Sequence, residues 1–533
     1  MTLRALGAIV LALLVFVPAS SATTPSAAPT VRLNIVFVLT DDQSVESAAK
    51  MPFVRAYRSW VRFDNAFIND PVCCPSRATL LTGLNSHHTR IENNSDRSRF
   101  DDSSTLATWL QRAGYRTGLF GKYHLGTHGE PPTYVPPGWS DWASFPDGAY
   151  YNYTLNENGT LVKYGSKPQD YSTDVLAGKA LDFLQRADGT KPFFLYLSTR
   201  APHDSYAAAP RYVGRFKDAP IVHTANFNEP DMSDKPAWWQ TLTPRQARDI
   251  DNARRKEYAS LLAVDDAVKQ IFGTLKQKGL LSRTVVVFMT DNGVALGEHR
   301  WRGKTCVYEP CIRTPLLVSY PGARARKVSA LVTNADIPPT FAEIAGATTP
   351  PVDGRSFLDI LTGAVPSNWP SAQLFHFKED KSQKSPPTFW AVRTHGYKYV
   401  LTEATGELEL YDLRKDPYEV QSVAGQPQYA QVQSALARRL AAMRAARPHE
   451  VRPPQTAIDR RSRLAKSLVR FTFHSSEPGS VFQCRRDAQT LWANCTSPKT
   501  YRLRNGRHVF AVRAIDAAGN TDRTPPRVAF TLR

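Results

Sequence analysis

Three short apolar runs constrain this chain more than anything else in it. Ile35-Val36-Phe37-Val38-Leu39, Phe193-Phe194-Leu195-Tyr196-Leu197 and Val285-Val286-Val287-Phe288-Met289 contain no charged residue and are rich in β-branched or aromatic side chains. A strand with one wet face alternates, whereas a run without alternation fits a strand covered on both faces. Helical spacing lies between them, for example over Thr105 to Ala113 and Asp174 to Leu184. Buried strands alternating with helices predict an α/β domain with a largely parallel sheet.

Each run stops abruptly. The first ends in Thr40-Asp41-Asp42, the second in Ser198 and then Ala201-Pro202-His203, the third in Thr290-Asp291-Asn292-Gly293. Ligands of such sheets bind beyond the carboxyl ends of the strands, so Asp41, Asp42, His203, Asp291 and Asn292 are expected along one edge. One aspartate at a strand end is ordinarily a turn residue or a helix cap. Two strands that end in Asp-Asp and Asp-Asn favour a metal, because clustered carboxylates repel unless a cation joins them. Oxygen ligands from Asp and Asn suit Ca²⁺ or Mg²⁺.

After the first run comes Cys73-Cys74-Pro75-Ser76-Arg77-Ala78-Thr79-Leu80-Leu81-Thr82-Gly83. Pro75 fits the first turn of a helix, where its missing N–H has no bond to lose. Cys73 then sits at or just before a helix N-terminus, where negative charge is favoured, and Arg77 adds a cation nearby. A reactive cysteine needs such surroundings; a buried thiol or a disulfide half is the ordinary alternative. Further on, Gly118-Leu119-Phe120-Gly121-Lys122-Tyr123-His124 places Lys122 and His124 two apart. An extended backbone turns both to one face. Beyond the third run lies Gly297-Glu298-His299-Arg300-Trp301-Arg302-Gly303-Lys304.

These segments together resemble the type I, formylglycine-dependent sulfatases. The resemblance rests on Cys73-x-Pro75-Ser76-Arg77 with Thr82-Gly83, on Gly121-Lys122-x-His124, and on the segment around Lys304; it covers roughly Asn34 to Arg447. The form Cys-Cys-Pro-Ser-Arg is most similar to the N-acetylglucosamine-6-sulfatase branch. What it implies is an alkaline-phosphatase-like α/β fold: a large mixed, mostly parallel sheet between helices, followed by a smaller C-terminal α+β subdomain. It also implies that a formylglycine-generating enzyme converts Cys73, not Cys74, to formylglycine. One Ca²⁺ per chain is then held by Asp41, Asp42, Asp291 and Asn292, with the modified Cys73 beside it. In the family's scheme a hydroxyl of the formylglycine hydrate attacks sulfur while Lys122 and Lys304 hold the sulfate. His203 contacts the sulfate and assists the leaving oxygen, His124 takes the proton of the remaining hydroxyl, and Arg77 orients the hydrate. His299 and Trp301 line the substrate pocket, or His299 supports it from behind. The implied substrate is a sulfated glycan, such as an N-acetylglucosamine-6-sulfate unit, or an aryl sulfate. The rival readings are a phosphoester or phosphonate-ester hydrolase of the same superfamily, against which the cysteine motif speaks, and a catalytically silent glycan-binding protein.

Along the chain, residues 1–22 read as a secretory signal peptide: Arg4, the apolar stretch Ala5 to Val17, and a small-residue cleavage site near Ala22. The remaining divisions are a flexible spacer (23–33), the catalytic domain (34–365), its C-terminal subdomain (366–447), a basic linker (448–466) and an all-β module (467–533). The last resembles a bacterial Ig-like β-sandwich. An exported protein can form disulfides, and Cys306/Cys311 and Cys484/Cys495 are candidate short-loop pairs. The net charge of +19 suits an acidic partner or serves solubility alone. The partner expected is sulfated glycan rather than nucleic acid, and no stable membrane insertion is expected.

Overall fold

The computed structural model describes residues 32–533 except 125–129, 146–147, 383, 450–453, 478, 490, 516–520 and 523. The expected signal peptide and nearly all of the expected spacer lie outside the described residues.

One ten-stranded sheet organises the larger part of the chain. Its strands are β1 (Asn34–Asp41), β2 (Val61–Phe63), β3 (Arg116–Gly121), β4 (Asp141–Ser144), β5 (Tyr153–Glu157), β6 (Thr160–Tyr164), β7 (Phe193–Pro202), β8 (Thr284–Thr290), β9 (Leu316–Ser319) and β10 (Arg326–Val328). Their spatial order is β10-β2-β9-β8-β1-β7-β3-β4-β5-β6. The three apolar runs are β1, β7 and β8, side by side at the centre. Strands β8, β1, β7, β3 and β4 run parallel, and antiparallel pairs flank them. Val36 pairs with both Leu195 and Val286, so the three central strands run in step and end at one edge.

Both faces are covered, as the missing alternation requires. Ile35, Phe37 and Leu39 belong to one apolar layer with Leu106, Trp109 and Phe341; Val36 and Val38 belong to the other with Leu176, Phe183 and Val264. The covering helices include α1 (Cys73–Thr82), α2 (Leu106–Arg112), α3 (Ser172–Gln185) and α4 (Ala247–Gln277). Helix α1 starts at Cys73, as Pro75 predicts, and all ten of its residues are buried. It ends on Gly83, whose φ of 72° is the left-handed cap that glycine adopts without a Cβ clash.

The subdomain is a four-stranded antiparallel meander: β11 (Ala372–Phe377), β12 (Phe389–Thr394), β13 (Tyr397–Thr402) and β14 (Leu408–Asp412). Helix α5 (Ala430–Ala445) lays Leu436 and Leu440 on it.

The end of the chain is all β, and here one reading needs correction. Residues 448–466 were expected as a linker, but Thr456–Ala465 forms β15, antiparallel to β16 (Leu468–Ser475). As an edge strand β15 exposes Asp459, Arg460, Arg461 and Arg463. Charge on an edge strand blocks pairing with other chains, and in sequence it is indistinguishable from a solvated linker. The further strands are β17 (Val481–Arg486), β18 (Ala493–Cys495), β19 (Lys499–Arg502), β20 (Gly506–Ile515) and β21 (Arg527–Leu532). The sheets β15-β16-β19 and β18-β17-β20-β21 close on a core of Val469, Phe471, Phe473, Phe510, Val512 and Phe530. The bonds Cys484–Cys495, which joins β17 to β18, and Cys306–Cys311 are both formed.

Candidate active site

The strand ends meet the N-terminus of α1. Cys73 Sγ lies 3.5 Å from Asp41 Oδ1, 4.0 Å from Asp42 Oδ1 and 2.6 Å from Lys304 Nζ. Lys122 Nζ donates to Asp41 Oδ2 at 2.5 Å, and Lys304 Nζ to Asp42 Oδ1 at 2.8 Å. His203 Nε2 is 3.4 Å from Asp42 Oδ2. Fully buried Arg77 ties the elements together: its Nε donates to Asp291 Oδ2 at 2.8 Å, and its Nη1 to the Lys122 carbonyl at 2.7 Å and to Ser198 Oγ at 2.9 Å. Asn292 Nδ2 donates to Asp42 Oδ1 at 2.6 Å, while Asn292 Oδ1 is buried with no hydrogen-bond partner among the described residues.

Backbone geometry places these groups. Gly121 has φ 126°, and a Cβ there would stand 1.7 Å from the Ser198 carbonyl oxygen. Only glycine lets β3 press this close to β7, and the next N–H, of Lys122, donates to that same oxygen at 2.9 Å. Asp42 adopts φ 57°, a left-handed conformation that is uncommon without glycine. Its N–H donates to Asp291 Oδ1 at 3.1 Å, which holds the turn.

Three carboxylates (Asp41, Asp42, Asp291) face three cations (Arg77, Lys122, Lys304). Burial opposes ionisation of Asp41, yet Lys122, His203 and Arg77 outweigh it and hold its carboxyl well below the usual range. Asp42 is also lowered, by Lys304 and His203 against burial. Asp291 moves the other way, raised by burial and by Asp41. Burial pushes the Cys73 thiol up, which keeps it protonated and poorly nucleophilic. Exposure is graded across the site: Asp41, Arg77 and Lys122 show at most 1% of their side chains, Asp42 10%, Lys304 17% and His203 25%. The cluster therefore opens on the side of His203 and Lys304.

The imidazole of buried His124 stacks on Phe100 at 5.0 Å. Of the two roles expected of His299, lining the pocket or supporting it from behind, the geometry favours the second: it is 1% exposed, with Nδ1 on Glu229 at 2.6 Å and Nε2 on Asn226 at 3.1 Å. Burial also drives its pKa well below the imidazole range. No ring nitrogen of His299 is left for a substrate, so its place is behind the site. Trp301 packs against Trp238 and Trp239, and its Nε1 donates to the Lys304 carbonyl at 2.7 Å.

Ser198 and Glu257 are supports that the sequence alone did not disclose. Glu257 Oε1 accepts the N–H of Ser44 at 2.9 Å and its hydroxyl at 2.7 Å, two residues past Asp42. The available signal is periodicity, since Glu257 falls on the α4 stripe of Ile250, Leu261 and Val264.

A parallel sheet that gathers carboxylates, lysines and a helix-terminal cysteine at its carboxyl edge is the architecture of a hydrolase for ester-bound oxyanions. Residues 33–347 match the family described as Sulfatase, and residues 297–446 match N-sulphoglucosamine sulphohydrolase, C-terminal. The chain belongs to the sulfatase family, and it is a sulfatase by class. Human N-acetylglucosamine-6-sulfatase is 35% identical over 68% of this chain and 70% of that protein. The extracellular sulfatase SULF-1 homolog of Drosophila melanogaster is also 35% identical, over 64% of this chain, which spans about a third (33%) of that longer relative. A solved structure in complex with its substrate D-glucosamine-2-N,6-O-disulfate superposes with a TM-score of 0.69 at 27% identity, over 78% of this chain and 97% of that one.

Proposed function

We propose that this chain is an exported sulfatase that removes sulfate from a glucosamine-containing glycan, with Ca²⁺ and a formylglycine made from Cys73. The observation that carries the reading is the position of Cys73 Sγ, between the ammonium of Lys304 and the carboxylates of Asp41 and Asp42 at the mouth of a buried helix. The name of the human relative and the substrate of the solved complex support a 6-O-sulfated glucosamine unit. Export agrees with the extracellular relative and with the two disulfides; among the described residues no helix is long and apolar enough to cross a membrane.

A hard divalent cation fits the residues present. Asp41, Asp42, Asp291 and Asn292 offer oxygen, and Asn292 Oδ1 is a buried acceptor awaiting a partner. Those four would hold the ion. A bound Ca²⁺ supplies positive charge for sulfate oxygens, and the hydrated aldehyde supplies a hydroxyl nucleophile that a buried, protonated thiol cannot. The chain's own groups do the rest. Lys304 and Lys122 stand where they clamp sulfate oxygens, with His203 at the open side to meet the leaving oxygen. Arg77 fixes the start of α1 against Asp291. Because carboxylates and cations already balance, a divalent ion leaves a positive excess that favours an anionic ester.

The test is mass spectrometry of the Cys73 peptide together with turnover of glucosamine-6-sulfate before and after calcium is stripped. The expected results are an aldehyde at Cys73 and activity lost with calcium and restored by it. Full activity of metal-free protein, zinc as the only metal, or preference for a phosphonate ester would sink the reading.

A further inference from the structure

Much of the positive charge lies far along the chain from the catalytic motifs. From Pro454 to Arg533 there are fifteen Arg and Lys against five Asp and Glu, a formal net of +10 out of +19. In the catalytic part many arginines meet carboxylates, as Arg77, Arg116, Arg211 and Arg254 do. Among the described residues beyond Pro454 no salt bridge joins an arginine to an Asp or Glu of that region, although Arg513 feels the charge of Asp359; the carboxylates that pair there, Asp459 and Asp487, take His474 and His508. Neighbouring guanidinium groups without counter-charge repel one another, and an outside anion relieves that repulsion.

These arginines are ordered by strand register. Arg485 of β17 lies opposite Ala511 of β20, and Ala511 lies opposite Arg527 of β21, so the three share one face. The alternate residues Cys484, Phe510, Val512 and Phe530 fill the core, which leaves this face outward. A shallow pocket of about 200 Å³ opens on it, with Arg485, Gln489, Ala511 and Arg527 in its lining; Arg486 borders it too, but it is paired with core Phe510 and reaches over Tyr501 on the other face. Asp487, also at the pocket, is already occupied: Oδ1 accepts the Val509 N–H at 3.0 Å and faces His508 Nδ1 at 3.2 Å. Beside it the Trp492 ring is held between Arg485 and Arg513, whose guanidinium carbons are 4.5 and 4.7 Å from the ring centre.

We propose that this face of the all-β region is a docking site for a sulfated polysaccharide, the polymer on which the catalytic domain acts. The proposal rests on the sulfatase reading for the choice of polymer. Guanidinium forks match the oxygens of a sulfate group in pairs, and the pocket has room for a sulfate on a sugar edge. A sulfated chain is favoured over a nucleic acid because the same molecule already carries a site for sulfate esters. Holding the polymer here raises the local concentration of ester groups at Cys73 without any new catalytic contact.

The test uses the full chain and the variant Arg485→Gln/Arg527→Gln, whose positions lie outside the catalytic machinery. The wild type is expected to elute from immobilised heparin at clearly higher salt than the variant, and to lose retention on desulfated heparin. With a 6-O-sulfated heparin-type polymer as substrate, KM of the variant should rise by roughly tenfold at low salt with kcat unchanged. Turnover of a small aryl sulfate should be the same for both proteins. Equal elution of wild type and variant from heparin overturns the proposal. So does retention on double-stranded DNA or on phosphatidylglycerol vesicles that equals retention on heparin and depends on the same arginines. A wild type that binds heparin through these arginines but cleaves no sulfate ester would instead overturn the sulfatase reading and leave the docking face standing.

Discussion

Cys73 and Cys74 are adjacent, buried and chemically alike, yet they serve different surroundings. Cys73 Sγ faces Lys304 and two carboxylates, whereas Cys74 belongs to an apolar layer under the sheet and gives its N–H to Asn94. Cys73→Ala is expected to lower aryl sulfate turnover by at least about three orders of magnitude, the usual loss for a nucleophile. Cys74→Ala should keep turnover within a few fold and lose on the order of 1 kcal/mol of stability. Reversed outcomes for the two variants would show that the nucleophile is misassigned. Asn292 makes the same kind of point for the metal. Its Oδ1 has no hydrogen-bond partner among the described residues, so Asn292→Ala should reduce calcium bound per chain in direct metal analysis. Unchanged occupancy would mean that this oxygen is not a ligand.

Elements position these residues through close backbone approach, and glycines report it. Gly121→Ala would force a Cβ onto the Ser198 carbonyl, so β3 and β7 must separate and Lys122 must move. A loss above roughly 3 kcal/mol, with turnover falling in the fraction that folds, is the expected result. Gly178, exposed inside α3 with nothing near its Cβ position, is the control: Gly178→Ala should stabilise by about 0.5–1 kcal/mol. Thermal melts of both variants check the pair. Strands β1, β7 and β8 were legible in the sequence because burial on both faces leaves no polar residue to interrupt them. Helices α2 and α3 were legible from their spacing, and the site was legible wherever a strand stopped on a carboxylate. Strand β15 was not, because an edge strand can carry as much charge as a linker. The roles of Ser198 and Glu257 were hidden for a different reason. What a polar side chain does depends on the segment folded over it, and Ser44 and Arg77 are distant in sequence from the groups they meet.

Across the whole molecule, buried acids set the response to pH. Burial, helped by Glu46, raises Glu257 to about 7; burial also raises Glu229 to about 7 and Asp336 to about 6. Each binds its proton more tightly folded than unfolded. Their share of stability is therefore complete below their ordinary values of 4.5 or 3.8 and is lost as pH rises through 6 to 7. Glu309 runs the other way: burial would raise it, but Lys398 and Arg393 prevail and hold it near 2. Its contribution is present above 4.5 and disappears as pH falls through about 2. Melting temperature should peak in mildly acidic solution and fall toward about pH 8, and Glu257→Gln should flatten that alkaline fall. A melting temperature that climbs from about pH 6 to 8 would contradict this. The all-β region, with a core of its own, should be dispensable for small substrates. The cut belongs after Glu450 rather than at Arg447, because Val352 and His449 exchange backbone hydrogen bonds at 2.8 and 2.7 Å. Turnover of an aryl sulfate should survive this truncation while heparin retention falls; collapse of turnover in a folded truncation would show that the region helps build the site.

The enclosure of α1 sets a schedule for biosynthesis. With 1% of Cys73 exposed and the whole helix packed inside, no second enzyme can draw this segment into its own cleft once the sheet has closed over it. On the formylglycine chemistry proposed above, conversion of Cys73 and folding are rivals in time, and conversion has to finish first. The same interval is when Cys306, Cys311, Cys484 and Cys495 are still unpaired thiols. An oxidant met too early would capture Cys73 in a wrong bridge, and one met too late would leave the other four unbonded. On that proposal, a cell that makes this protein faster than it can modify it is expected to accumulate well-folded, inert molecules that no later supply of the modifying enzyme rescues.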